Sequence, residues 1–282
     1  MKVNLHTNGW TVVIEDLDLK QATSEQAHEI GKLLASNTVV VIRNQNLSVQ
    51  DQINFCSKIG KLETWENRDV LGLDGYLIKD SDYKVIRVTG ELDEHGRPGL
   101  FGHVSDLDWH ANNTANPWRD PIVWLYGVKG TEGSRTSWIN NILSYEDLDN
   151  DTKESIKDIK MINGYKQGAY SETSFGKAVD VNPHYKPNIV HTNVAGKTGL
   201  FFPFLQIHEI DGMNEDESRK FIEKLRDHIL NEKYMYHHDW QDGDVVIAEQ
   251  WLGIHKRWKF EKIESRVLHR ICLDFSKINF NK

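Results

Sequence analysis

The first part of the chain alternates between strand-like and helix-like hydrophobic patterns. Residues 10–14 and 38–42 are apolar and rich in β-branched side chains, and the second run is continuous, as in a strand buried on both faces. Between them, Thr23 and Gln26 have the spacing of a capping box, which predicts the start of a helix. The apolar residues on one face of that helix are Ala27, Ile30, Leu33 and Leu34.

A second helix is predicted directly after the buried strand. Ser48 and Asp51 have the spacing of an N-terminal cap, and Gly60 is a residue type that commonly ends a helix. The apolar positions of this helix are Ile53, Cys56 and Ile59.

Beyond residue 60 the pattern changes to short β-like runs that are separated by turn signals. Turns are predicted at residues 95–99 and 242–244, which contain Gly with Pro or Asp. Many short strands favour a double-sheet jelly roll or a related barrel. The predicted strands are residues 83–88, 122–128, 161–165, 200–204, 245–247 and 268–275, and two further helices are predicted near residues 145–160 and 214–230.

Composition indicates an ordinary globular protein. With 282 residues, 39% of them hydrophobic, and nine Trp, the chain can bury a sizeable core, and we expect one compact domain over residues 1–282. No apolar run is long enough to span a membrane, and the first residues lack the apolar region of a signal peptide, so we predict a cytoplasmic protein without a membrane partner. Cys56 and Cys272 lie in apolar segments and are expected to be buried hydrophobes.

The charge distribution limits the possible partners. A formal net charge of -8 with scattered Lys and Arg disfavours a nucleic-acid partner, whereas a few local Arg side chains can still bind a small anionic molecule. We therefore expect a small-molecule substrate. Assembly into a homo-oligomer is left open by the sequence.

The residues that carry candidate chemistry stand in the segment Trp109-His110-Ala111-Asn112 and far downstream at His255. In an extended strand, residues i and i+2 point to the same side, so the spacing of His110 and Asn112 suits a pair of ligands at the end of a strand. Two imidazoles and one carboxylate on one face form a non-haem Fe(II) site. Asn112 keeps the geometry of the carboxylate position without its charge.

Further segments complete a recognisable series along the chain. They are Arg43-Asn44-Gln45 after an apolar strand, Gly133-Ser134-Arg135-Thr136, His191-Thr192-Asn193, Trp240-Gln241-Asp242-Gly243-Asp244 and Arg266-Val267-Leu268-His269-Arg270. In this order and spacing, and with the two histidine segments, the chain resembles the taurine dioxygenase and 2,4-dichlorophenoxyacetate dioxygenase superfamily of Fe(II)/2-oxoglutarate-dependent oxygenases. The resemblance covers about residues 12–275.

The resemblance implies a mainly β fold with flanking helices in the α+β class, a double-stranded β-helix of the cupin-like jelly-roll type. It also implies that His110 and His255 are the catalytic metal ligands and that Asn112 occupies the third ligand position. Arg266, eleven residues after His255, resembles the anchor of the 2-oxoglutarate carboxylate, and a guanidinium is a suitable bidentate partner for that group.

Two more residues receive roles from the same resemblance. Thr136 resembles the hydroxyl that assists the arginine in binding 2-oxoglutarate. Arg270 is four residues after Arg266 and would face the same side of a strand, where it would contact an anionic group of the primary substrate.

The implied activity is that of a 2-oxoglutarate-dependent non-haem iron dioxygenase with Fe(II), 2-oxoglutarate and O2. It would oxidise a C–H bond of a small anionic or zwitterionic metabolite, by hydroxylation or otherwise, and convert 2-oxoglutarate to succinate. The loops expected to select the substrate are residues 62–82 and 168–182.

Asn112 leaves several alternatives open. Its side-chain oxygen can coordinate iron as a neutral and weaker ligand, or it can stand back and admit water or a halide, as in an iron/2-oxoglutarate halogenase. A carboxylate from Asp106 or Asp108 can substitute for it, since Asp108 is two residues before His110 and would share its face. The last alternative is a non-catalytic protein that binds a small ligand in the same pocket.

Overall fold

A computed structural model describes residues 1–64, 77–92, 102, 104–112, 114, 121–166, 178–179 and 183–281. The predicted turn at residues 95–99 and most of the two predicted substrate loops lie outside these residues. The helices are α1 Ser24–Asn37, α2 Val49–Ile59, α3 Asn141–Glu146, α4 Asn150–Ile156 and α5 Glu215–Ile229. The strands are β1 Lys2–Leu5, β2 Val12–Glu15, β3 Val39–Ile42, β4 Ile86–Thr89, β5 Leu107–His110, β6 Ile122–Lys129, β7 Arg135–Asn140, β8 Met161–Asn163, β9 Tyr165–Lys166, β10 Ala178–Val179, β11 Val190–Thr192, β12 Thr198–Leu200, β13 Ile207–Ile210, β14 Met235–Asp239, β15 Val245–Glu249, β16 Gly253–Arg257 and β17 Val267–Leu273.

Two facing sheets form the jelly roll. Within the described residues, the major sheet has the order β1-β2-β3-β15-β6-β17-β4 and the minor sheet the order β14-β7-β16-β5. The pair β2 and β3 is parallel, whereas β15, β6, β17 and β4 pair antiparallel with their neighbours. The fold class predicted from the sequence is confirmed by this arrangement.

Side chains of the major sheet alternate between two apolar layers. On β6, Trp124 packs among the residues of α1 and α2, whereas Val123 and Leu125 point between the two sheets. The same alternation on β3 sends Val40 towards the helices and Val41 between the sheets. The major sheet therefore has a helix-covered face and an inner face, because successive side chains of a strand point to opposite faces of the sheet.

The predicted N-terminal helices are confirmed together with their caps. Thr23 and Gln26 form the capping box of α1, and Ser48 and Asp51 form that of α2. Leu33 of α1 is half-buried, while the other predicted apolar residues of this helix are buried.

Two later predictions are wrong in detail. The helix predicted near residues 145–160 is divided into α3 and α4, because Asp149 accepts a hydrogen bond from the backbone of Thr152 and starts a new helix. The strand predicted at residues 200–204 ends at Leu200. Pro203 has no backbone N–H for a sheet, and Phe204–Gln206 form a 3-10 turn.

Additional layers complete the described part of the fold. A second apolar cluster joins α3, α4 and α5 to the outer side of the minor sheet, with Ile139, Ile222 and Ile254 among its members. Cys56 and Cys272 are buried free thiols, as predicted. Among the described helices, none combines the length and apolar character that crossing a membrane requires.

Candidate active site

A partly open cavity lies between the two sheets. Its wall combines apolar side chains with two histidines and three arginines. The described lining residues are Val88, Leu107, His110, Asn112, Val123, Leu125, Thr136, His255, Arg257, Arg266, Leu268 and Arg270. All six site residues predicted from the sequence are therefore brought together in one cavity.

The two histidines meet because strands β5 and β16 are neighbours. His110 and His255 are register partners in this antiparallel pair, and their ring centroids are 4.1 Å apart. His110 is 6% exposed and His255 is 8% exposed, so both rings are shielded from bulk water. Residues distant in sequence thus form a compact pair of potential metal ligands.

Burial keeps both imidazoles neutral. It lowers the pKa of His110 to about 4, while the hydrogen bond to the Asp108 carbonyl opposes this shift. Burial also lowers the pKa of His255 well below its usual value, and the neighbouring His110 adds to the effect. A neutral imidazole has a lone pair available for a metal ion.

The tautomer of His110 follows from its hydrogen bond. Its Nδ1 is 2.6 Å from the backbone carbonyl oxygen of Asp108, and a carbonyl can only accept a hydrogen bond. Nδ1 is therefore the protonated nitrogen, and Nε2 carries the lone pair. A hydrogen bond from the ring nitrogen that does not bind the metal commonly orients a metal-binding histidine.

Two buried glutamines fix the turn that follows His110. Gln206 binds both backbone polar groups of Ala111, accepting from its N–H at 3.0 Å and donating to its carbonyl at 2.7 Å. The Gln250 side chain accepts from the backbone N–H of Asn112 at 3.0 Å. These contacts determine the path of the backbone at Asn112, which lines the cavity.

Asp108 does not share the face of His110. The register of β5 and β16 shifts between His255 and Arg257, so that β5 contains one extra residue there, a β-bulge. The bulge turns the Asp108 carboxylate towards Lys256, at 3.5 Å, on the other side of β16 from His255. The expectation that two-residue spacing places Asp108 beside His110 is wrong for this reason.

Asp106 is also held away from the histidines. Its carboxylate is 3.3 Å from Nζ of Lys256 and also accepts from the backbone N–H of Lys259. In the described part of the chain, no group of three or more His, Cys, Asp and Glu side chains is arranged to hold a metal ion. Of the third-ligand candidates from the sequence, Asn112 is the one that lines the cavity.

Arg266 extends into the cavity from the start of β17. It is 2% exposed, and its Nε and Nη1 have no hydrogen-bond partner among the described residues. Burial and the charge of Arg257 lower the pKa of Arg266 to about 9, so the guanidinium remains positive at neutral pH. A buried cation with unused donors is a site for an anion.

Thr136 reaches the same cavity from β7 of the opposite sheet. Its Oγ1 accepts a 2.9 Å hydrogen bond from Nε1 of the buried Trp240. Since Arg266 and Thr136 come from different sheets, they can contact one ligand from two sides.

Arg270 lies on the same side of its strand as Arg266 and Leu268, and all three line the cavity. This is the arrangement predicted from their spacing. Arg270 is 7% exposed, so its charge acts in a largely desolvated environment.

Several residues of the site were not found in the sequence. Arg257 lines the cavity two residues after His255 on the same strand, so the spacing argument applied to His110 and Asn112 would have found it. Gln206 and Gln250 act through hydrogen bonds between distant segments, which no local pattern in the sequence indicates. The segment that begins at Trp240 was matched in the sequence, but without the hydrogen bond from its indole to Thr136.

Comparison with known proteins supports this view of the fold. Residues 5–272 match the family described as taurine catabolism dioxygenase TauD, TfdA family. An alpha-ketoglutarate-dependent 2,4-dichlorophenoxyacetate dioxygenase of Cupriavidus pinatubonensis is 22% identical over 265 residues, which are 91% of this chain and 92% of the relative. A pentalenolactone F synthase of Streptomyces arenae is 23% identical over 69% of this chain and 70% of its own.

Solved structures show the same fold. The structure of AAD-2 in complex with Mn(II) and N-oxalylglycine has a TM-score of 0.80, with 20% identity and coverage of 96% of each chain. A taurine dioxygenase from Burkholderia xenovorans has a TM-score of 0.73 and 19% identity, and the match covers 93% of this chain and 85% of that one.

Proposed function

Because the chain belongs to the TauD/TfdA family of dioxygenases, we propose that its cavity holds Fe(II) through His110 and His255, with Asn112 as the third protein ligand. The protein is a 2-oxoglutarate-dependent non-haem iron dioxygenase, an oxidoreductase that uses Fe(II), 2-oxoglutarate and O2. The observation that carries the proposed site is the pair of buried, neutral imidazoles in one cavity with the buried Arg266.

The chemistry of the donor groups fits iron. Two neutral imidazoles suit Fe(II), and Nε2 of His110 is kept unprotonated by the hydrogen bond from Nδ1 to the Asp108 carbonyl. Asn112 offers a neutral amide oxygen, which is a weaker ligand for a divalent cation than a carboxylate. We therefore expect an iron site of lower affinity than one with Asp at position 112.

The side chains of Arg266 and Thr136 fit 2-oxoglutarate. Arg266 would supply charge-assisted hydrogen bonds to the distal carboxylate, and Thr136 would add a hydroxyl donor from the other sheet. Burial of both side chains strengthens these bonds because water does not compete for them.

The bound groups supply the oxidation, in which O2 is consumed, 2-oxoglutarate is converted to succinate and CO2, and one oxygen atom is available for the substrate. The residues of this chain position the reactants. His110 and His255 would hold the metal, Arg266 would hold the co-substrate carboxylate, and the apolar side chains of the wall would limit access of water.

We propose a small organic anion as the primary substrate. Arg270 presents a positive charge to the cavity, while Leu107, Val88 and Val123 present apolar surface to a hydrocarbon portion. The halogenase alternative is not favoured, since the family and the curated relative from Cupriavidus pinatubonensis are named as dioxygenases.

Succinate formation tests this proposal. The purified protein is incubated with Fe(II), 2-oxoglutarate and O2, with a series of small carboxylates and the matched neutral amides. We expect succinate formation to require iron, and a carboxylate to stimulate it more than its amide. Arg270→Gln should remove this preference, because it removes the positive charge that selects the anion.

A surface variant serves as the control. Arg219→Gln removes a guanidinium from α5 that forms exposed ion pairs with Glu215 and Asp216, and it should leave the preference intact. Equal stimulation by carboxylates and amides in the wild-type protein would reject the anionic substrate. Absence of iron-dependent succinate with every compound would count against the whole proposed function.

A further inference from the structure

Arg257 is a third buried arginine of the cavity and has no role in the function proposed above. It is the last residue of β16, two residues after His255, and it is 5% exposed. Its Nη2 donates a hydrogen bond to the backbone carbonyl of Ser105, which holds one edge of the guanidinium. A guanidinium has five N–H donors in a rigid plane, so it can bind a carbonyl and a carboxylate together.

Arg257 lies near the two residues that are proposed to bind 2-oxoglutarate. Its Cα register partner on β7 is Thr136, so the two side chains are neighbours on the inner face of the minor sheet. The charge of Arg257 is also the neighbouring charge that lowers the pKa of Arg266. Arg257 is therefore close to both residues that are proposed to bind 2-oxoglutarate.

The described wall of the cavity has a large excess of positive charge. It contains three arginines and, among the described lining residues, no Asp or Glu. Like charges in a desolvated cavity repel each other, and an anionic ligand relieves that repulsion. A ligand carboxylate beside Arg257 and Arg266 would reduce the repulsion between these two charges.

We propose that Arg257 is a second guanidinium for the distal carboxylate of 2-oxoglutarate, which it binds from the minor sheet while Arg266 binds it from the major sheet. This inference rests on the proposed function. The carboxylate has two oxygens with several acceptor positions, so two arginines and the Thr136 hydroxyl can all donate to it. The consequence is strong selection for a keto acid that carries a second carboxylate.

A pair of keto acids separates this role from a structural one. 2-Oxopentanoate has the same carbon chain and keto acid end as 2-oxoglutarate, with a methyl group in place of the distal carboxylate. The affinity of each compound is measured by calorimetry on protein loaded with Mn(II), which avoids turnover. The proteins are the wild type, Arg257→Gln and Lys256→Gln.

Lys256→Gln is the matched control. It removes a positive charge from the adjacent position of the same strand, but the Lys256 side chain points away from the cavity towards Asp106 and Asp108. We expect this variant to bind both keto acids as the wild type does.

Arg257→Gln should weaken 2-oxoglutarate binding by about tenfold, the usual scale for a hydrogen bond to a charged group, and leave 2-oxopentanoate binding unchanged. Equal weakening of both compounds, or no weakening of either, would overturn the inference while the proposed function stands. Failure of the wild-type protein to bind 2-oxoglutarate would overturn both.

If Arg257→Gln does not fold, Arg257→Lys carries the same test, because lysine keeps the charge but loses the planar fork. Weaker 2-oxoglutarate binding with unchanged 2-oxopentanoate binding supports the inference. If a folded Arg257→Lys protein binds 2-oxoglutarate as tightly as the wild type does, the planar guanidinium of Arg257 does not bind the distal carboxylate. That result contradicts the inference.

Discussion

The indole Nε1 of Trp240 donates a 2.9 Å hydrogen bond to Oγ1 of Thr136. Trp240 is 1% exposed, and its backbone N–H is bound to the Ser134 carbonyl, so the indole is held firmly in place. Because Oγ1 accepts this bond, the hydroxyl proton of Thr136 is directed elsewhere. The cavity that Thr136 lines is the place where an anionic ligand would accept it.

Trp240→Phe should weaken 2-oxoglutarate binding by roughly fivefold, the usual scale for the loss of one neutral hydrogen bond. The bond that is lost is the one from Trp240 to Thr136, which orients the Thr136 hydroxyl towards the co-substrate. The ring remains to fill the core, so the effect should be larger on the KM for 2-oxoglutarate than on kcat. Steady-state succinate formation measures both constants.

Trp10→Phe is the control for this variant. Trp10 belongs to the same apolar cluster as Trp240, but its Nε1 has no hydrogen-bond partner among the described residues. The same substitution at position 10 should leave the KM for 2-oxoglutarate unchanged. An equal rise of KM in both variants would mean that packing of the core, and not the bond to Thr136, is responsible.

Asn112→Asp should tighten Fe(II) binding by on the order of tenfold or more, because it places a negative charge in the cavity beside a divalent cation. Asn112→Gly should weaken binding, since it removes the amide oxygen. Titration with Fe(II) under anaerobic conditions gives both affinities.

Asp108→Asn is the matched control, since it removes a carboxylate that pairs with Lys256 outside the cavity. We expect its iron affinity to equal that of the wild type. Loss of iron from Asp108→Asn, together with unchanged affinity in both Asn112 variants, would make Asp108 the third ligand.

His269 should make the protein less stable in acid. Burial lowers its pKa from 6.5 to about 4, and its Nδ1 accepts a 3.0 Å hydrogen bond from Nε2 of Gln52, whose Oε1 accepts from Trp124. Between these two pKa values the unfolded chain binds the additional proton. The contribution of neutral His269 to the free energy of unfolding is therefore complete above pH 6.5. It is lost as the pH falls towards 4, and the total loss is about 3 kcal/mol.

Urea unfolding of the metal-free protein between pH 7 and about pH 4 measures this effect. His269→Gln should show a shallower fall of the unfolding free energy with decreasing pH than the wild type does. His208→Gln, at an exposed position, should follow the wild type. Parallel curves for wild type and His269→Gln would disprove the role of His269.

The major sheet and its helices could be predicted from the sequence because their apolar residues follow clear patterns. Buried strands are continuous apolar runs, and the helices carry apolar residues on one face. Residues 38–42 and 245–247 are apolar runs, and they became the neighbouring strands β3 and β15. The capping residues Thr23 and Ser48 are local signals that do not depend on the rest of the fold.

The minor sheet could not be predicted in the same way. Its strands β7, β14 and β16 mix apolar residues with polar and charged ones on both faces. On β16, for example, Arg257 lines the cavity, whereas Lys256 pairs with Asp106 and Asp108 outside it. The matched motifs identified His110 and His255 but not the bulge that turns Asp108 away, since a bulge depends on the register between two strands.

The binding of Fe(II) by the two histidines is the central claim, and one measurement tests it most directly. Anaerobic addition of Fe(II) and 2-oxoglutarate should produce a weak visible absorption band when the keto acid chelates the metal. His110→Ala and His255→Ala should each abolish the band, because each removes an imidazole ligand, while the exposed control His208→Ala should retain it. If either of the first two variants keeps the band with the iron affinity of the wild type, the assignment of the metal site is contradicted.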